Sequence, residues 1–397
     1  MYSYSDRINN LSESITIAIS TLARDLKAQG KDILSFSAGE PDFNTPQAIR
    51  EEAIKAIQEG FTKYTAVCGI PELLQAISDK LKRENDLNYT TKEIIVSNGA
   101  KHSLFNVIAA LIQKGDEVLI PTPYWVTYPE LVSYSLGTNV FLQTTQGNNF
   151  KITPQQLKDS ITPKTKMLIL TTPSNPTGML YSKEELQALA EVLKGTNIWV
   201  ISDEIYEKLV YNGSFTSTAS INSDMLERTI TINGLSKSVA MTGWRIGYLA
   251  CKDKKLCKLI DNLQSQSTSN VCSITQRASI AGLDGRADEE IKKMRLAFEE
   301  RRDFACKKIN AIKGLNVNTP DGAFYLFVNC SEIEYDSMHF CKSLLEKVGV
   351  AVVPGIGFGM DGYFRFSFAT DLKSIEEGIK RIESFCNSHK AKATHLF

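Results

Sequence analysis

The segment Gly234-Leu-Ser-Lys-Ser-Val-Ala-Met-Thr-Gly-Trp-Arg-Ile-Gly247 holds the residues best suited to chemistry. It follows the apolar run Thr229–Asn233. A lysine on a loop after a buried strand loses part of its hydration, which lowers its pKa and leaves a nucleophilic amine. Lys237 fits that description. Ser236 and Arg245 on the same loop offer a hydroxyl and a charge-assisted fork, both suited to a phosphate. A second phosphate-seeking feature is Ser97-Asn-Gly-Ala-Lys101, which opens an apolar helix over Leu104–Ile112. Gly99 permits close backbone approach there, and a helix N-terminus presents free N–H groups. Arg365, in Phe364-Arg-Phe-Ser-Phe368, points to the face opposite its apolar neighbours. Taken singly, these are also a solvated loop lysine, an ordinary strand-to-helix turn and an exposed strand charge.

Such residues need a frame. The runs Glu93–Ser97, Glu117–Pro121, Thr165–Thr171, Ile198–Ser202, Thr229–Asn233 and Tyr248–Cys251 are mostly continuous apolar strands, as in a sheet covered on both faces. Helical stretches such as Ser182–Leu193 alternate with them. Another helix opens at Thr45-Pro46, shows the face Ile49, Ala53, Ile54, Ile57, and closes at Gly60. The alternation predicts an α/β domain with a mainly parallel sheet, over residues 46–288. Later residues change rhythm: a charged helix over about Glu289–Ile312, short strands at Phe324–Val328, Val350–Val353 and Tyr363–Phe368, and helices near Ser337–Val348 and Ser374–Asn387. Residues 289–397 therefore read as a smaller α+β domain. Residues 1–45 contain no strand–helix pair and are expected to pack on it. Ligands of open parallel sheets bind beyond the carboxyl ends of the strands, which is where the lysine loop falls.

Composition narrows the function. The 397 residues carry 45 Lys plus Arg against 45 Asp plus Glu, so no global charge favours nucleic acid or acidic membranes. The polar start Met1-Tyr-Ser-Tyr-Ser-Asp6 lacks the apolar core of a signal peptide, and no apolar run approaches the ~18 residues of a spanning helix. Eight scattered cysteines without a C-x-x-C read as reduced, mostly buried thiols. His102, His339, His389 and His395 show no zinc spacing. The expectation is a cytoplasmic protein without metal. Gly355-Ile-Gly-Phe-Gly359 is not G-x-G-x-x-G and reads as a loop.

The lysine segment resembles the pyridoxal-phosphate lysine motif of the class I and II aminotransferases, and in particular their bacterial aspartate aminotransferase branch. Further landmarks occur in order: Ser37-Ala-Gly-Glu-Pro-Asp-Phe43, Lys63-Tyr64, Ser97-Asn-Gly-Ala-Lys101, Pro123-Tyr-Trp125, Pro173-Ser-Asn-Pro-Thr-Gly178, Ser202-Asp-Glu-Ile-Tyr206 and Phe364-Arg-Phe-Ser367. The resemblance implies fold type I, with a mainly parallel seven-stranded sheet in the large domain. It also implies pyridoxal 5'-phosphate bound covalently to the Lys237 amine. Asp203 would pair with the ring nitrogen, Tyr206 and Asn175 would donate to the phenolic oxygen, and Trp125 would stack on the ring. Gly99, Ala100, Lys101, Ser236 and Arg245 would surround the phosphate, with Tyr64 reaching it across a dimer interface. For substrate, Arg365 would grip the α-carboxylate, Gly39 would lie against the same molecule beside Trp125 and Asn175, and Lys101, Ser14 and Thr16 would serve a distal carboxylate. Read without the resemblance, Asp203 is a strand-end turn residue, Asn175 part of a turn, Trp125 core and Tyr64 a packed surface tyrosine. His102 departs from the glutamine common in relatives.

The implied activity is transfer of the amino group of L-aspartate to 2-oxoglutarate in two half-reactions, by a homodimer with shared active sites. The same machinery also serves prephenate, glutamate or aromatic substrates, and pyridoxal-phosphate lyases on the same fold. A regulator using this fold as a sensor is disfavoured by the lack of a basic patch.

Overall fold

The computed structural model describes residues 3–393, so Met1, Tyr2 and His395 lie outside the described residues. Its strands, in chain order, are β1 (Leu34–Ser35), β2 (Ile94–Ser97), β3 (Glu117–Pro121), β4 (Thr138–Leu142), β5 (Thr165–Thr171), β6 (Trp199–Asp203), β7 (Thr229–Gly234), β8 (Gly247–Ala250), β9 (Tyr325–Asn329), β10 (Val350–Ala351), β11 (Val353–Pro354) and β12 (Tyr363–Ser367). Seven of them form one sheet in the order β2-β8-β7-β6-β5-β3-β4. All pairs among β7, β6, β5, β3 and β4 are parallel, whereas β8 runs antiparallel to both of its neighbours.

The apolar runs build this sheet because alternate residues serve opposite faces. Met167 and Ile169 join Val118, Ile120, Ile201 and Ile232 under the helices Ala100–Leu111 and Lys254–Ser265. Leu168 and Leu170 join Leu119 and Val200 under the helix Lys183–Leu193. Ser182 caps that helix through a capping box with Glu185. The predicted helix after Thr45 spans Gln47–Gln58, with Pro46 as its cap residue. Strand β4 is missing from the sequence reading. It is an edge strand paired only with β3, its exposed and half-buried positions follow no regular alternation, and Phe141 is exposed, so neither an apolar run nor an alternation marks it.

The remaining strands form two small sheets. β11-β12-β9 is antiparallel, and β1 pairs in parallel with β10. The single strand expected over Val350–Val353 is in fact two, since β10 and β11 pair with different sheets on either side of Val352. The helices Asp288–Asn310, Ser337–Val348 and Leu372–Ala393 cover these sheets, with a core of Phe298, Phe340, Phe364, Phe366, Ile375 and Phe385. Phe364 and Phe366 face that core, which turns Arg365 between them to the other side.

One connection matters most for function. β7 returns into antiparallel β8 through residues 235–246, with no crossover α-helix between them. The return brings β8 against the start of the helix Ala100–Leu111, where a Cβ on Gly247 would lie 2.3 Å from the Ala100 backbone nitrogen. Gly247→Ala is therefore expected to destabilise by about 1–3 kcal/mol. The check is the urea midpoint of unfolding; an unchanged midpoint would contradict this packing.

Candidate active site

Parallel strands end at one edge of the large sheet, and the chemistry-bearing residues collect there. Trp125 follows β3, Asn175 follows β5, Asp203 ends β6, and Ser236 and Lys237 follow β7. Arg365 and Tyr325 arrive from β12 and β9 of the small sheet, and Gly39 and Thr16 from the N-terminal segment. Together they line a cavity of about 270 Å³.

Lys237 is its centre. Thr242 donates to Glu40 (2.8 Å), Thr45 donates to the Ala240 carbonyl (2.7 Å), and Trp244 donates to Thr45 (2.9 Å), tying the lysine loop to residues 40–45. The amine donates to the Gly39 carbonyl. Burial pushes its pKa down to about 8; Glu40 and Asp203 oppose that shift, and Arg365 and Arg245 reinforce it. A neutral, nucleophilic amine is thus populated near neutral pH.

Asp203 is buried at the end of β6. Desolvation pushes its carboxyl up to about 6, against the Tyr128 hydroxyl, the Ile205 N–H and Lys237, which favour the charged form. The Tyr128 hydroxyl donates to the carboxylate (2.7 Å) and also meets Thr171 (2.7 Å). The next residue, Glu204, turns away from the cavity. It accepts from Ser202 (2.8 Å), Ser217 (2.8 Å) and the Thr218 N–H (3.1 Å), and burial raises its carboxyl to about 7. Glu207 pairs with Lys80 and accepts from Asn85 (2.7 Å). These anchors fix the turn that presents Asp203 and Tyr206.

Arg365 is 2% exposed. It donates to the Asn175 side-chain oxygen (2.9 Å) and to the Ser37 carbonyl (2.9 Å). Its guanidinium carbon stands 4.3 Å from the Tyr325 ring centre and 5.1 Å from that of Phe358. Because Asn175 accepts through its oxygen, its amide N–H groups remain as donors.

At the other end of the cavity lie Ala100 and Lys101, in the first turn of the helix Ala100–Leu111. Gly99 does not line the cavity but shapes it. Its φ is +89°, and a Cβ there would lie 2.5 Å from Arg245 Nη2, so only glycine lets that guanidinium rest on the helix start. Free N–H groups, Ser236 and Arg245 make an anion seat. Arg245 itself holds a left-handed φ of 55°. Lys101 stacks on Trp125, with its ammonium 4.9 Å from the ring. Desolvation and Arg245 lower its pKa. His102 accepts from the Asn98 N–H (3.2 Å) and points into this turn.

Besides Gly99, two predicted residues stay off the cavity wall. Ser14 is the residue before the helix Ile15–Ala28 and does not line the cavity, although Thr16 does. Tyr64 is 91% exposed and also lies off the cavity wall of its own chain. Conversely, Tyr128, Thr171, Ile205 and Tyr325 line the cavity without having been singled out. Tyr128 follows Trp125 at helical spacing, a signal that was present. Tyr325 sits in a continuous apolar strand and looks like core.

A family profile described as aminotransferase class I and II matches residues 31–382. The chain belongs to that family. It is 48% identical over 402 residues to a probable aspartate/prephenate aminotransferase of Rickettsia felis, covering 98% of each chain. It is 46% identical to an aspartate aminotransferase of Bacillus subtilis, covering 96% of this chain and 98% of the relative. The solved aspartate aminotransferase of Rhizobium meliloti superposes with a TM-score of 0.94 at 40% identity, covering 98% and 99%. The Thermus thermophilus aspartate aminotransferase with maleate superposes at 0.93 and 39% identity, covering 97% and 100%. The seven-stranded, mainly parallel sheet is that of the aminotransferase fold.

The buried carboxylate of this aminotransferase yields a stability test. The folded pKa of Asp203 lies above its unfolded value, so its stabilising contribution is present below pH ~4 and is lost as pH rises through about 6. Asp203→Asn is expected to stabilise the protein, with no ligand added, above pH 6 by on the order of 3 kcal/mol relative to the parent. At pH 4 the difference should vanish. Thermal unfolding at the two pH values reads this directly, and equal offsets at both would contradict it.

Proposed function

We propose that the protein is a pyridoxal 5'-phosphate-dependent aspartate aminotransferase, transferring the amino group of L-aspartate to 2-oxoglutarate in a ping-pong cycle. One observation carries this reading: an amine of depressed pKa, a buried carboxylate and a buried guanidinium face one cavity. The residues fit the cofactor. The cradle that a Cβ on Gly99 would fill, with Arg245, Ser236 and the helix N-terminus, suits its phosphate. Asp203 suits its ring nitrogen, the Asn175 amide and Tyr206 hydroxyl its phenolic oxygen, and Trp125 its ring face. When bound, the cofactor supplies an electron sink for the carbanion left when the substrate Cα proton departs.

The chain's own residues do the rest. Arg365, already desolvated and held by Asn175 and Ser37, takes the α-carboxylate as a bidentate pair. That contact sets the Cα–H bond against Lys237, whose amine takes the proton and returns it. Lys101 and Thr16, which both line the cavity, take the distal carboxylate of a dicarboxylic substrate, with Ser14, off the cavity wall, as the third candidate. Gly39 keeps the wall beside the substrate flat.

A second acceptor is prephenate. The exposed, adaptable position of Lys101 favours it, as do the names of the Rickettsia relatives. We also propose a cytoplasmic homodimer. Six of the eight cysteines are buried, as expected of thiols in a reducing compartment. Tyr64, and Ile54 and Ile57 of the helix Gln47–Gln58, are exposed apolar side chains that a second copy would cover, and Tyr64 could then reach that copy's phosphate. Residues 46–288 form the cofactor-binding unit, and 1–45 with 289–397 the smaller one.

L-Aspartate added alone to the cofactor-loaded protein should bleach its visible band and release one equivalent of oxaloacetate. An unchanged spectrum would remove aspartate as donor, and Lys237→Ala should lower turnover by more than about 10³-fold. Lys101→Ala should raise KM for aspartate roughly 10–100-fold while leaving alanine, which lacks the distal carboxylate, little affected. Equal losses for both amino acids would place Lys101 elsewhere in the reaction.

A further inference from the structure

Tyr325 is 1% exposed, lines the cavity, and lies among the groups on which the proposed reaction depends. Its hydroxyl is 2.9 Å from the Tyr206 hydroxyl. Its ring lies 4.3 Å from the Arg365 guanidinium carbon. The two tyrosine rings meet edge to face, at 5.9 Å and 80°. Register explains the closeness. Arg365 is paired with Phe327 on the neighbouring strand, and Tyr325 is two residues along on the same face. Gly39 leaves room for the hydroxyl, since a Cβ there would stand 3.3 Å from it.

We propose that Tyr325 is a positioning residue: its hydroxyl donates to the Tyr206 oxygen and so turns the Tyr206 proton into the cavity, while its ring holds the Arg365 guanidinium. This rests on the functional reading above. Each tyrosine hydroxyl has a single proton. If Tyr206 donated to Tyr325, it could not also donate to a cofactor oxygen. With Tyr325 as donor, the Tyr206 proton is free and its donor strength rises, because chained hydrogen bonds polarise one another. The charged or titratable groups facing this pair are Arg365, Asp203 and Glu40. Tyr325 would thus join the cofactor side and the carboxylate side of the cavity through one residue.

Two variants separate hydroxyl from ring. In the holoenzyme of Tyr325→Phe, Tyr206 becomes a weaker donor and stabilises the anionic cofactor oxygen less. The pH midpoint of the visible absorbance change should rise by roughly half to one unit, with KM for aspartate nearly unchanged. Tyr325→Leu should show the same spectral shift and also raise KM roughly 2–30-fold through loss of the ring under Arg365. A Tyr325→Phe midpoint equal to that of the parent overturns the proposal, and so does a rise in KM for that variant equal to that of Tyr325→Leu. If Tyr325→Leu does not fold, the spectral midpoint and KM of Tyr325→Phe decide alone. A parent protein with no cofactor band would overturn the functional reading itself, a result distinct from an unshifted variant.

Discussion

Desolvation of one amine is the constraint that organises this protein. In the proposed reaction Lys237 acts only if it loses enough water to be neutral near physiological pH, and one sheet edge cannot remove that water alone. The large sheet supplies the loop and the floor, through Asp203, Tyr206 and Trp125. The small sheet supplies the opposing wall, through Arg365 and Tyr325. The same burial that frees the amine would be costly if anions and cations were unbalanced around it. Glu40 and Asp203 act in one direction on Lys237, and Arg365 and Arg245 in the other, so the shift stays moderate.

That arrangement needs rigid support, because a carboxylate and a guanidinium in a dry site drift unless their remaining lone pairs and protons are occupied. Asp203 is held by Tyr128, and Arg365 by Asn175 and Ser37. Behind them, Glu204 and Glu207 carry a second tier of buried contacts reaching Ser217, Thr218 and Lys80. These groups offer little net stability. Their effect is to fix the turn after β6 in one conformation. The continuous apolar packing of β5, β6 and β7 provides the stability on which they draw.

Much of this was legible in the sequence, and the limits are physical. Buried parallel strands announce themselves as apolar runs, so Glu117–Pro121 and Thr165–Thr171 were read to the residue. The edge strand Thr138–Leu142 was not, because half of it faces water. The lysine loop was legible from its own residue types, whereas Asp203, Asn175 and Trp125 needed the family resemblance to stand out from turn and core. Tyr325 carries no local mark at all. Its neighbours in sequence are core residues, and its partners Tyr206 and Arg365 become neighbours only through strand register and the meeting of two sheets.

The two cations that the proposed function sets against the substrate differ in a way that would bear on specificity. Arg365 is buried, doubly hydrogen-bonded and flanked by two aromatic rings, so its position is fixed before any ligand arrives. Lys101 is exposed, on a flexible stem, and rests on the face of Trp125. A rigid bidentate fork selects strongly for a planar carboxylate in one place. A mobile ammonium accepts an anion over a range of distances. The α-carboxylate is common to every amino-acid substrate, whereas the distal group varies in reach from aspartate to glutamate to prephenate. In the proposed reaction, fixing the invariant end and leaving the variable end adaptable would let one cavity serve both half-reactions, whose donor and acceptor differ in length.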